Sequence, residues 1–192
     1  IVEGANSFIT PAARRALQQG GVVILRDAAA NKCGVISSSY EIIANLMLSE
    51  REFLSHKQRY VADVIDILNR RAEDEARLIF KRHGQHAGAQ LYTEISDAIS
   101  SEINSHYTRL FSYFQKNPEL CRQPLYRKAI LNHLPRMLRG ESRFRKRVDG
   151  LPEKIKYAIL ASEIASSLVY RNNEEETFAE MIEYRLLRME EL

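Results

Sequence analysis

The sequence predicts a mainly α-helical chain: a helical bundle preceded by a short parallel β-α-β unit. Three observations carry that reading. Residues 1–25 hold short β-branched runs bounded by Gly-containing turns. From about residue 36 onward, apolar side chains recur at three- and four-residue steps. Composition also changes near residue 40, from small residues and Gly pairs to long charged segments, so we divide the chain into 1–40 and 41–192.

Ile1-Val2-Glu3 ends in Gly4-Ala5-Asn6 and reads as a strand entering a loop. Thr10-Pro11 supplies a capping hydroxyl and a Pro at the first helical position, and Gly20-Gly21 closes the segment, predicting a helix over 11–19. Val22-Val23-Ile24-Leu25 is a continuous apolar run, as expected of a strand buried on both faces. Ile42, Ile43, Leu46 and Met47 form one helical stripe, and Tyr60, Val64, Ile65, Leu68, Ala72, Ala76 and Ile79 form a second. Gly84 to Gly88 breaks that pattern; Leu91, Ile95, Ile99, Ile103, Tyr107, Leu110 and Phe114 resume it until Asn117-Pro118. Shorter helices are expected at about 123–139, 152–171 and 174–190.

With 45% hydrophobic residues and only 8 Gly and 5 Pro in 192, the chain has the material for a packed core, which excludes disordered and collagen-like classes. No apolar run approaches the roughly 18 residues of a membrane helix, and no signal-peptide pattern opens the chain. No membrane association is therefore expected. Cys33 and Cys121 lie far apart without metal-ligand spacing, so neither a disulfide framework nor a zinc site is indicated, and a cytoplasmic setting fits. A net charge of +3 is too small to argue for nucleic acid. The chain starts at Ile1 rather than Met, and we expect it to be a piece of a longer protein.

The residues that point to chemistry gather in two loops, Glu3-Gly4-Ala5-Asn6 and Asp27 to Glu41, each following a predicted strand. Ligands of open parallel sheets sit at the carboxyl ends of the strands, where both loops fall. Asn6 and Asn31 carry amides that donate and accept, suiting a carboxamide or a ribose. Gly34 allows close backbone approach, and Ser37-Ser38-Ser39, read as a helix start, offers hydroxyls and free N–H groups to a carboxylate.

Ile1-Val2-Glu3-Gly4-Ala5-Asn6, then Thr10-Pro11, then Asn31-x-x-Gly34-Val35-x-x-Ser38-x-x-Glu41, resembles the C-terminal end of the dinucleotide-binding domain of glutamate dehydrogenases. The three serines and the long helical tail look most like the large NAD-specific enzymes of the Glu/Leu/Phe/Val dehydrogenase superfamily. The motif similarity covers about the first 45 residues. The resemblance implies that 1–40 is the C-terminal edge of a Rossmann-like domain and 41–192 a helical C-terminal domain. It implies NAD as cofactor, with Asn6 beside the nicotinamide ribose and Asn31 at the nicotinamide end. Ser38 is implied to hold the side-chain carboxylate of L-glutamate, with Ser37 and Ser39 as register neighbours.

The reaction implied is oxidative deamination of L-glutamate to 2-oxoglutarate and ammonia, a step of amino-acid catabolism, in a homo-oligomeric full-length enzyme. That family's acid/base Lys and Asp belong to an upstream domain, so no catalytic residue is assigned here. No GxGxxG occurs in the chain, and the isolated chain is therefore expected to be inactive. Cys33 stands where many relatives have a second Gly, which strains a Cys if the position needs positive φ.

That feature favours the alternative, a non-catalytic helical interaction or regulatory module. Turn chemistry is the competing account of Asn6 and Asn31, and helix capping that of Ser37 to Ser39. The basic cluster Arg136, Arg139, Arg143, Arg145, Lys146 and Arg147 reads as a solvated helix face paired with acids such as Glu174 to Glu176, rather than a nucleic-acid surface. His83 and His86 read as helix-end residues, not as metal ligands.

Overall fold

The computed structural model describes residues 1–30, 32–85 and 89–170 and forms two compact units, one of residues 1–45 and 61–100, the other of 46–60 and 101 onward. The described residues are mainly helical. The expected helix at 174–190 and the acids Glu174 to Glu176 lie outside them, as do Asn31 and His86.

In the first unit, helix α1 spans Pro11–Gln19. Thr10 caps it, its hydroxyl accepting from the Ala13 amide at 3.3 Å, and Gly21 leaves it at φ +89°, a conformation that only Gly adopts without cost. The expected strands reduce to a single parallel bridge between Val2 and Leu25, in which Leu25 N–H donates to Ile1 O and Glu3 N–H donates to Leu25 O. Val2 is 68% and Val23 39% exposed, so the expectation of a run buried on both faces fails and Ile24 alone is fully buried. A lone pair of short segments gains too few ladder bonds to become a sheet.

Beneath the bridge, Arg14 on α1 makes a bidentate pair with Glu3, Nε to Oε1 and Nη2 to Oε2, each 2.7 Å, with both side chains buried. Gln18, also buried, joins α1 to α5 (Tyr92–Lys116): its amide donates to Thr93 Oγ1 and accepts from the Thr93 amide. Two further helices follow the bridge, α2 (Asp27–Ala30) and α3 (Lys32–Met47), and α4 (Glu50–Gln85) comes next in the chain. The unit's core is Ile24, Tyr40, Ile43, Leu78, Ile79, Ile95 and Ile99. Only half of the predicted stripe on α3 faces inward: Ile43 and Met47 are buried, whereas Ile42 and Leu46 are half exposed.

The second unit starts with a capping box at the head of α4. Ser49 Oγ accepts from the Glu52 amide, while Glu52 Oε2 accepts from both the amide and the hydroxyl of Ser49 at 2.9 Å. After α5, a 3₁₀ turn at Pro118–Arg122 leads into α6 (Pro124–His133), α7 (Arg136–Gly140) and α8 (Ser142–Arg145). A second 3₁₀ turn, Lys146–Gly150, precedes α9 (Glu153–Tyr170). The continuous helix expected over about 123–139 is broken at Leu134-Pro135, because Pro lacks the N–H that the ladder needs and forces its predecessor into extended backbone, here ψ 152°. Phe114, Ile130, Leu138, Phe144 and Leu160 are fully buried at its centre.

Candidate functional site

The parallel bridge sets the ends of its two segments side by side, so the turn at Gly4 to Ser7 and the segment from Arg26 into α2 leave the same edge. Asp27 joins them. Its Oδ2 accepts from the Ser7 amide at 2.8 Å, and its Oδ1 accepts from the Ala28 amide at 2.7 Å. Ser7 has φ 54°, the only positive φ of a non-glycine among the described residues. The two amide hydrogen bonds, ahead of a weaker pull from Arg26, hold the Asp27 carboxyl below the usual carboxylate range. Arg26 in turn sets Nη1 at 2.7 and 2.8 Å from the two Asp97 oxygens on α5.

The loop expected over Asp27 to Glu41 is instead helical over 27–30 and 32–41; Lys32 opens α3 and pairs with Glu75 of α4 at 3.0 Å. Glu75 is 4% exposed, and its Oε1 finds no hydrogen-bond donor among the described residues. Cys33 Sγ lies 3.8 Å from Leu68 O, a weak contact to the same helix. Cys33 is helical with no positive φ, so the strain expected of Cys in place of Gly is absent.

Of the predicted site residues, Asn6 is exposed in the turn held by Asp27. Asn31 lies outside the described residues. Ser38 is exposed on α3, but not at a helix start: α3 begins at Lys32, and only the first four amides of a helix lack intrahelical acceptors. The expectation that the serine run offers free N–H groups is thereby corrected. Instead each hydroxyl donates back to the carbonyl three residues earlier, Ser37 to Gly34 O at 2.9 Å, Ser38 to Val35 O at 2.8 Å and Ser39 to Ile36 O at 2.6 Å. As it stands Ser38 presents lone pairs outward. Donation to a carboxylate requires rotating the hydroxyl, which exchanges a neutral hydrogen bond for a charge-assisted one of about twice the strength.

Two members of the basic cluster form ion pairs. Arg147 forks onto Glu52 at 2.8 and 2.7 Å and also donates to Met47 O at 2.6 Å. Arg143 donates to Glu141 at 2.9 Å, and both arginines lie over the Phe144 ring. Among the described residues, the acids that meet them are Glu52 and Glu141. His83 stacks on Tyr92 and sets Nδ1 2.8 Å from Gln90 O. No group of three His, Cys, Asp or Glu among the described residues is placed to hold a metal ion, and no described helix is long and apolar enough to cross a membrane.

The sequence reading missed Asp27, Arg26 and Glu75. Asp27 carried a local signal, an acid at a helix start, whereas the partners of Arg26 and Lys32 lie 71 and 43 residues further along the chain and leave no local pattern.

Residues 1–93 match the family Glutamate/Leucine/Phenylalanine/Valine dehydrogenase. Among curated proteins the chain is 32% identical to "Probable NAD-specific glutamate dehydrogenase" of Schizosaccharomyces pombe, over 90% of this chain and 16% of that protein. It is 34% identical to "Glutamate dehydrogenase 2" of Dictyostelium discoideum, over 89% of this chain and 17% of that protein. It is 30% identical to "NAD-specific glutamate dehydrogenase" of Saccharomyces cerevisiae, over 96% and 18% respectively. The chain thus spans less than a fifth of the length of these relatives. No solved structure matches it.

Proposed function

We propose that this chain, whose residues 1–93 match the glutamate/leucine/phenylalanine/valine dehydrogenase family, belongs to that family and is a segment of an enzyme that oxidatively deaminates L-glutamate with NAD. The observation that carries the proposal is the Asp27 bridge to Ser7, which joins the Gly4 to Ser7 turn to the start of α2 at one edge of the parallel pairing. In the Rossmann-like sheet that we propose for the full-length protein, that edge is where ligands bind. Residues 1–40 are then the C-terminal edge of a Rossmann-like domain, and 41–192 a helical C-terminal domain.

We assign two residues to the nicotinamide end of the cofactor, on the resemblance of the motifs that hold them. Exposed Asn6 offers an amide to the ribose, and Asn31 is assigned the nicotinamide end. Without a Gly-rich phosphate loop in the sequence, the pyrophosphate has to be held by other parts of the protein. When bound, NAD supplies the acceptor for the hydride that leaves Cα of glutamate. The resulting imine takes up water and releases ammonia, leaving 2-oxoglutarate. Within this chain, Ser38 is assigned to the substrate's side-chain carboxylate, and proton transfer is assigned to residues outside it. The two thiols are free, which suits the cytoplasmic location that we propose, and we expect the full-length enzyme to be a homo-oligomer.

The non-catalytic reading is favoured by Cys33 in place of Gly; Cys33 is helical without positive φ, so that substitution brings no backbone strain. The test is NADH formation from L-glutamate. The full-length protein should turn over and the 192-residue chain alone should not; a folded, inactive full-length protein would return the reading to an interaction module.

A further inference from the structure

We infer that Asp27 is the positioning residue of this site, a clasp that holds the Asn6 turn in place by fixing Ser7 in left-handed backbone. The inference rests on the proposed dehydrogenase reading.

A serine at φ 54° sets its Cβ against the following carbonyl, a conformation that Gly, Asn and Asp adopt far more readily. Strain of this kind persists only where surrounding contacts over-determine it. Here the contact is the bond from Ser7 N–H to Asp27 Oδ2 at 2.8 Å. Ser7 directly follows Asn6, so the peptide plane that Asp27 grips is the one joining these two residues.

Asp27 is itself anchored. Its second oxygen accepts from Ala28 N–H, and Arg26 beside it is held by both oxygens of Asp97 on α5. Lys32, just beyond α2, is paired with buried Glu75 on α4. The clasp is thus fixed on the side away from the turn, and the strain falls on Ser7. The chemistry dictates two consequences. Removing the carboxylate frees Ser7 to relax toward negative φ, which moves Asn6. Replacing Ser7 with Gly makes the left-handed conformation accessible without the clasp.

The test uses the full-length protein, with NAD and L-glutamate varied in turn at temperatures where thermal melts show every variant folded. Asp27→Ala should raise KM for NAD about tenfold, which corresponds to about 1.4 kcal/mol, and shift KM for glutamate much less. Ser7→Gly should stay near wild type, and Asp27→Ala/Ser7→Gly should recover a large part of the loss, a non-additivity expected only of coupled residues. Asp27→Asn, which keeps one acceptor oxygen, should fall between wild type and Asp27→Ala and serves if Asp27→Ala does not fold. Equal loss in the single and double variants, or equal loss toward both substrates, would show that Asp27 merely supports α2. NADH binding, followed by fluorescence, separates the two layers of inference. Wild type that binds NADH but leaves glutamate unchanged overturns the substrate assignment while the binding series still reads the clasp. Wild type that binds no NADH overturns both.

Discussion

The buried pair of Glu3 and Arg14 should be the costliest single interaction to break in the first unit. Both hydrogen bonds of the fork are 2.7 Å, and the side chains are 1% and 11% exposed. Arg14→Met leaves the Glu3 carboxylate dehydrated and without its counter-charge. Removing one partner of a buried pair costs about 3–5 kcal/mol, against about 0–1 for an exposed pair. The pH dependence sharpens the test. The Arg14 hydrogen bonds, acting against burial, hold the Glu3 carboxyl below its ordinary range. A depressed folded-state value gives stability that is present above the unfolded value and lost as pH falls through the folded one. In Arg14→Met burial and the Asp27 charge, which both push the carboxyl up, are opposed only by the weaker pull of Arg26, so the variant recovers stability as acidification neutralises Glu3. Urea unfolding of the chain followed by circular dichroism should therefore show a gap between wild type and variant that is widest near pH 7 and narrows towards pH 5. Glu3→Gln/Arg14→Met, with both charges gone, should regain part of the loss. A cost below about 1 kcal/mol, or a gap independent of pH, would mean that the pair does not act as a desolvated unit.

Three further outcomes are expected. Ser49→Ala, which removes the hydroxyl half of the capping box at the head of α4, should cost about 1 kcal/mol in the same unfolding assay. Burial pushes the Cys121 thiol up to about 11, so alkylation at pH 8 followed by mass spectrometry should modify half-buried Cys33 well before Cys121. With Arg143 and Arg147 engaged by Glu141 and Glu52, titration with duplex DNA should reveal none of the steep loss of affinity with salt that marks phosphate contacts.

Much of the helical content was legible because its signals are local. Thr10-Pro11 and Gly20-Gly21 bound α1 at the residues observed, and Asn117-Pro118 ends α5. Errors arose where one local signal was set against another. Capping preference predicts a helix start at Ser37 to Ser39, yet a serine inside a helix satisfies its hydroxyl by bonding back to the preceding turn, as all three do here. Pro135 was passed over inside an apolar periodicity that continues on both sides of it. The apolar run 22–25 signalled a strand, but a strand is completed by neighbours, and one bridge to Val2 is all that the described residues provide. The Gly4 to Ser7 turn does lie beside Asp27, but the loop expected from Asp27 to Glu41 is helical over 27–30 and 32–41, and Asp27 and Arg26 depend on contacts with Ser7 and Asp97 that periodicity does not encode.

If, as proposed, this segment supplies a substrate contact to a glutamate dehydrogenase, Ser38→Ala in the full-length protein will show it. Ser38 is exposed, and its hydroxyl bonds only to Val35 O among the contacts described, so its removal should leave the fold intact. Steady-state NADH formation should then show KM for L-glutamate raised about tenfold, with kcat and KM for NAD changed far less, the pattern of lost ground-state binding. Unchanged constants for glutamate in an active, folded variant would place the hydroxyl permanently on the Val35 carbonyl and remove Ser38 from the site.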